Sequence, residues 1–287
     1  MKPPSTFSPS SRSEIAIENE PGASPLNSAT TGVAVECRDL AIDLPTDKGD
    51  RRIVEGLNLH IEPGEFVCIL GESGVGKTTV LRVLGGLVPA VKGSVLEFDG
   101  EPVIGPPAAG VTVFQNYSAT LLPWRTTLAN VELPLERTCK RDERRERAME
   151  ALRLVGLSER HSAYPSQLSG GMQQRVQIAR ALVTRPRVLL MDEPFGALDA
   201  MTREGLQDEL LRIHRESGAT IVFITHDIDE AVYLGTRLVV LVGSPSSIGY
   251  DIESTLGPDR HQVRTKESSE YLHLRHTLYN AVRGNSG

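Results

Sequence analysis

The sequence is short of cysteine, of long apolar runs and of excess positive charge, and each shortage excludes something. Cys37, Cys68 and Cys139 are far apart and form no C-x-x-C pair, so neither a disulfide framework nor a thiolate zinc site is expected, and a reducing compartment fits best. The longest purely apolar runs, Phe66–Leu70 and Leu238–Val242, hold five residues, whereas a membrane-spanning helix needs about 20. No apolar leader segment follows Met1 and Lys2, which argues against export. Basic residues number 31 against 37 acidic ones, a net charge of −6; a general nucleic-acid binder should carry a basic field instead. No internal repeat is visible.

What remains is an ordinary globular composition, 39% hydrophobic over 287 residues, enough for one large domain or a core with a smaller lobe. Residues 1–32 stand apart, with five Pro, seven Ser, three Thr and two Gly. Such a segment buries too little surface to offset its ordering entropy, so a disordered tail is expected there. From Val33 onward, short apolar runs at Phe66–Leu70, Val188–Met191, Ile221–Thr225 and Leu238–Val242 read as buried strands of a mostly parallel sheet. Helical patterns lie between them. Val80, Val83, Leu84 and Leu87 follow helical spacing, and Gly85–Gly86 supply a stop near the helix end. A charge-dense helix, reading KRDERRER from Lys140 to Arg147, has the interspersed signs of a solvated face and belongs to a helical lobe. Beyond Gly243 the sequence offers a short strand and a polar helix around Ser268–Val282.

The sharpest local signal is Gly71-Glu72-Ser73-Gly74-Val75-Gly76-Lys77-Thr78, which matches G-x-x-x-x-G-K-[ST] between a predicted strand and a predicted helix. Its glycines let backbone N–H groups converge on phosphate oxygens, and the helix start adds a positive dipole end. Gly71, Ser73, Gly74, Gly76, Lys77, Thr78 and Thr79 are therefore candidate nucleotide-binding residues. Lys77 would neutralise the β- and γ-phosphates, and Thr78 would place its hydroxyl on Mg²⁺. The strand Val188–Met191 runs into Asp192 and Glu193. Asp192 at the strand edge suits Mg²⁺, and Glu193, one residue further out, suits polarisation of a hydrolytic water.

Leu168-Ser169-Gly170-Gly171-Met172-Gln173-Gln174-Arg175 resembles the signature sequence of ATP-binding cassette proteins. Physically it is a second glycine-rich helix start able to face an anion. Gln115 after the strand Val111–Phe114, Ala197-Leu198-Asp199 and Thr225-His226-Asp227 stand where that family carries its remaining motifs. The resemblance covers about residues 33–285. It implies a P-loop NTPase α/β core with a mostly parallel sheet, an antiparallel β subdomain and a helical subdomain. It divides the chain into a tail (1–32), an ATPase domain (33–243, helical lobe about 116–180) and a C-terminal extension (244–287).

By the same resemblance the cofactors are ATP and Mg²⁺, with Thr78, Gln115 and Asp192 as metal residues. Glu193, His226 and Gln115 are the catalytic set. Ser169, Gly170, Gly171 and Asp199 would act across a head-to-tail homodimer holding two ATP. Leu121-Leu122-Pro123-Trp124 resembles the importer subgroup for nitrate, sulfonate and taurine. The partners implied are two transmembrane permease subunits and, indirectly, an extracytoplasmic solute-binding protein; the implied location is the cytoplasmic face of the inner membrane, as a peripheral subunit. Leu121, Leu122 and Trp124 can be lobe core or an anchor for a partner helix. Two departures stand out: Ser244–Ser247 replaces a usual Pro-Gly turn, and no Phe, Tyr or Trp lies between Phe7 and Phe66 to stack adenine, Leu44 being nearest that place. A soluble cassette ATPase acting on DNA or ribosomes is the competing class. It would need a coiled-coil insertion or a second cassette, yet only 92 positions separate Lys77 from Ser169, with one glycine loop and one signature.

Overall fold

The computed structural model describes residues 32–115 and 120–284. The tail expected over residues 1–32 therefore lies, but for Gly32, outside the described residues, as do the first four positions of the lobe. The strands are β1 (Val35–Thr46), β2 (Gly49–Ile61), β3 (Phe66–Gly71), β4 (Val95–Phe98), β5 (Glu101–Pro102), β6 (Gly110–Val113), β7 (Val188–Asp192), β8 (Thr220–Ile224), β9 (Arg237–Gly243) and β10 (Ser246–Glu253). The helices are α1 (Lys77–Leu84), α2 (Thr127–Glu132), α3 (Arg141–Leu154), α4 (Gly170–Leu182), α5 (Ala200–Ser217), α6 (Ile228–Leu234), α7 (Gln262–Lys266) and α8 (Ser269–Arg283).

All ten strands join one sheet in the order β5-β4-β1-β2-β10-β9-β3-β8-β7-β6. The block β9-β3-β8-β7-β6 is wholly parallel, whereas β1 pairs antiparallel with β2 and β4. The parallel core and the antiparallel subdomain are thus two halves of a single sheet. Alternation along the buried strands feeds two cores. Phe66, Cys68 and Leu70 of β3, with Leu189, Met191, Ile221 and Phe223, face the layer of α2 to α6 and α8. Val67 and Ile69, with Val188, Leu190, Val222 and Ile224, face α1 and the β1–β2 ribbon. Because side chains alternate across a strand, the middles of strands buried on both faces are apolar, and the polar residues Asp192 and Thr220 fall at strand ends.

Helix α1 ends at Leu84, where Gly85 and the left-handed Gly86 (φ 65°) turn the chain. Leu87, expected on the buried face, is 48% exposed: the helix stops before its side chain can return to the sheet. The lobe helices behave as their charge pattern predicts, α3 burying only Ala148, Ala151 and Leu152. Asn130 fastens the lobe entrance, its side-chain oxygen accepting from Leu122 N (2.8 Å) and its amide donating to the carbonyls of Leu122, Arg125 and Thr126. The residues after Gly243 return to the sheet, since β10 pairs antiparallel with β9 and parallel with β2 at Ser246–Val54. Tyr271, Leu274, Leu278 and Ala281 of α8 then complete the larger core. Leu278 is 0% exposed, so Leu278→Ala should cost about 2–5 kcal/mol. Thermal or urea melts check this, and an unchanged transition would show that α8 sits outside the cooperative core.

Candidate functional site

The site forms where β3, β7 and β8 end side by side. Beyond the C-terminal end of β3 the chain passes through Gly71 (φ 147°), Gly74 (φ 82°) and Gly76 (φ 106°) before entering α1. At Gly76 a Cβ would stand 2.9 Å from Ile53 Cγ2, so both backbone sign and space require glycine. Helix α1 has no side-chain cap, which leaves its first-turn N–H groups available to an anion. Lys77 is buried and folds over the loop, donating from Nζ to the carbonyls of Gly71 (2.8 Å) and Glu72 (2.9 Å). Burial pushes its ammonium down from the ordinary lysine range, while the carboxylates of Glu193 and Asp192 push back. Ser73 and Gly74 are exposed, and Thr78 and Thr79 half-buried.

Asp192 closes β7, and its Oδ1 accepts from Thr78 Oγ1 at 3.2 Å. Burial raises this carboxyl above the usual carboxylate range, with the Thr78 hydrogen bond opposing. A hydroxyl and a carboxylate at one end of the loop make a hard-oxygen pair suited to Mg²⁺, a cation commonly bound by one or two carboxylates plus phosphate oxygens. Among the described residues there is no cluster of three or more His, Cys, Asp or Glu able to hold a metal ion.

Glu193 is the meeting point. Its backbone is left-handed (φ 45°), and its N–H donates to Ile224 O at 3.0 Å. Strain of this kind costs of order 1–3 kcal/mol and persists where the surroundings fix it. Gln115 Nε2 donates to Glu193 Oε2 at 3.0 Å, and His226 Nδ1 lies 3.1 Å from Oε1. Two residues far apart in sequence, just beyond β6 and β8, thus converge on the carboxylate of Glu193 just beyond β7. The expected catalytic set is brought together.

Ser169, Gly170 and Gly171 stand elsewhere, at the start of α4. Ser169 caps that helix, its Oγ accepting from Met172 N (3.3 Å). No hydrogen bond or ion pair joins these three to the glycine loop among the described residues. A Cβ on Gly171 would instead meet Leu198 Cδ2 at 3.2 Å and Ala197 O at 3.3 Å, and Gln174 Oε1 accepts from Ala197 N (3.3 Å). Asp199 caps α5 by accepting from Thr202 N (3.0 Å), and that bond holds its carboxyl below the usual range. Leu44 is half-buried and pairs with Arg51 across β1–β2. The Leu-Leu-Pro-Trp stretch divides: Leu121 is core, while Trp124 is 71% exposed. Sequence reasoning missed Arg203 and Glu230, which touch the turns around Leu198 and His226. The trace was a charged residue at the first turn of each following helix, a pattern shared by many solvated helices.

A family model described as ABC transporter matches residues 54–196. The chain is similar to the nitrate import ATP-binding protein NrtD of Synechococcus elongatus, at 43% identity over 80% of this chain and 85% of that protein. It is similar also to the bicarbonate transport ATP-binding protein CmpD of Synechocystis sp., at 41% identity over 89% and 90%. With the nitrate import ATP-binding protein NrtC of Synechococcus elongatus identity is 42% over 88% of this chain, which spans 38% of that relative's length. Among solved structures, a dimeric ATP-binding cassette, MJ0796, in a post-hydrolysis state bound to ADP and Pi, superposes with a TM-score of 0.69 at 33% identity over 76% of this chain and 98% of that one. With its glycine loop, signature helix and convergent Glu193 in a P-loop α/β sheet, the chain belongs to the ABC transporter family, among its ATP-binding proteins.

Proposed function

We propose that this chain is the ATP-hydrolysing subunit of an importer for a small oxyanion such as nitrate or bicarbonate, with sulfonates the next class. It would work at the cytoplasmic face of the inner membrane as a homodimer around two ATP. Two permease subunits would dock on it, and an extracytoplasmic solute-binding protein would act through them. The observation that carries the reading is the convergence of Gln115 and His226 on Glu193 beside the Thr78–Asp192 pair. The glycine loop and the first turn of α1 would hold the phosphates, and Lys77 would exchange its bonds to Gly71 and Glu72 for phosphate oxygens. Thr78, Asp192 and Gln115 would hold Mg²⁺, which when bound supplies charge neutralisation. Glu193 would take the proton of the attacking water, Gln115 and His226 fixing its two oxygens. Ser169, Gly170, Gly171 and Asp199, which lie apart from the glycine loop in one subunit, would complete the partner's site. The relatives named for nitrate and bicarbonate import support the solute class, and nothing in the sequence provides the coiled-coil insertion that a DNA- or ribosome-directed cassette needs.

The direct test is uptake of labelled nitrate and bicarbonate into vesicles carrying the permease that this subunit captures, with ATP and this subunit inside and the solute-binding protein outside. Uptake that proceeds equally without ATP or without the subunit would overturn the reading. Trp124 supplies a second test. An exposed ring on a Pro-stiffened segment nine positions after Gln115 suits a partner's grip. Trp124→Ala should leave the melting temperature nearly unchanged, as surface substitutions stay within about 0.5 kcal/mol, while weakening permease capture by roughly tenfold or more. A destabilised variant with intact capture would contradict the docking role.

A further inference from the structure

His226 reaches Glu193 from a turn that is itself tightly framed. Thr225 N–H donates to Ile69 O (3.3 Å), and Thr225 Oγ1 both donates to Glu230 Oε2 (2.7 Å) and accepts from Asp227 N (3.0 Å). Asp227 Oδ1 accepts from the N–H groups of Asp229 (2.9 Å) and Glu230 (3.2 Å), capping α6. The peptide on each side of His226 is therefore fixed, and the buried carboxylate of Glu230 is the base of the frame. A buried carboxylate needs a charge partner and further hydrogen bonds. Gln207 Nε2 supplies one at 3.4 Å, and Arg203 Nε stands 3.7 Å from Oε1.

Arg203 is the unexpected member, because it belongs to two turns at once. Lying in the first turn of α5, its side chain leans back over the helix start, and Nη2 donates to Leu198 O at 3.2 Å. Nη1 lies 3.5 Å from Asp227 Oδ2. One guanidinium thus spans the Ala197–Asp199 turn and the two acids that follow His226, the α6 cap Asp227 and Glu230, using the fixed fork that a lysine lacks. The same turn rests against Gly171 and donates its Ala197 N–H to Gln174 Oε1 of α4.

We infer that Arg203, with Glu230, is a positioning residue for hydrolysis: it sets the His226 imidazole against Glu193 from the Leu198 carbonyl, so that displacement of the Ala197–Asp199 turn is transmitted to the catalytic carboxylate. The inference rests on the role given above to His226. The bland alternative is a half-exposed ion pair worth little, which predicts loss of stability or nothing, with no link to His226.

The test is a double-mutant cycle on the full chain, reading phosphate release with ATP and Mg²⁺. Arg203→Ala is expected to lower kcat by about tenfold or more while KM for ATP stays within about twofold. Arg203→Lys, which keeps charge and loses the fork, should recover part of the loss. In a His226→Ala background, Arg203→Ala should cause no further fall, since residues acting as a unit are non-additive. Equal fold-losses in the presence and absence of His226, or wild-type kcat in Arg203→Ala, would overturn the link while leaving the assigned site intact. Wild-type kcat in His226→Ala alone would overturn the site reading and the inference with it. Should Arg203→Ala fail to fold, Glu230→Gln run through the same cycle gives the same decision.

Discussion

Lys77→Ala is expected to lower ATP turnover by roughly 10²–10³-fold or more, the loss seen when a preorganised charge donor is taken from a transition state. The side chain is buried at the start of α1 and turned onto the carbonyls of Gly71 and Glu72, so its ammonium already stands inside the loop that would wrap the phosphates. Backbone N–H groups can orient phosphate oxygens but carry no net charge, and α1 contributes only the partial charge of a helix end. Burial also presses the ammonium toward its neutral form, with Glu193 and Asp192 opposing; an anionic ligand in the loop would oppose it further, so nucleotide should bind better with Lys77 charged. Binding of a fluorescent ATP analogue and phosphate release, measured on the same protein, check both halves. Turnover like that of the unsubstituted chain would sink the assignment of the glycine loop.

Glu193→Gln should separate binding from chemistry. The amide has the shape of the carboxylate, and its oxygen can still accept from Gln115 while its nitrogen donates to His226 Nδ1, replacing contacts now at 3.0 and 3.1 Å. The left-handed backbone at this position is equally tolerated by glutamine. What is lost is basicity, and removal of a general base costs roughly 10²–10⁴-fold in rate. Nucleotide affinity should be preserved, so ATP remains bound and the closed dimer accumulates. Size-exclusion chromatography with ATP and Mg²⁺ reads this directly. A variant that binds ATP yet stays monomeric would contradict the shared site, and one that hydrolyses ATP at full rate would remove Glu193 from the chemistry.

The buried strands and the glycine-rich turns were legible in the sequence alone. A strand buried on both faces must be an unbroken apolar run, as Phe66–Leu70 and Leu238–Val242 are, and a phosphate loop must spell its glycines where the backbone turns left-handed. Both are local constraints, satisfied within a few residues and therefore written there. The remainder follows from packing between distant segments. The exposure of Trp124 beside the burial of Leu121 depends on how α2 and α4 pack, since an apolar residue in a short irregular stretch has no period to give its side away. The residues after Gly243 read as an extension with a short strand and a polar helix, and only the fold shows where these go: β10 enters the sheet at Ser246 and α8 closes the larger core, because strand partners are chosen across the fold. Arg203 and Glu230 look like solvated helix charges until α5 and α6 bring them 3.7 Å apart. Ion pairs and hydrogen bonds between distant segments follow from packing, and no spacing along the chain announces them.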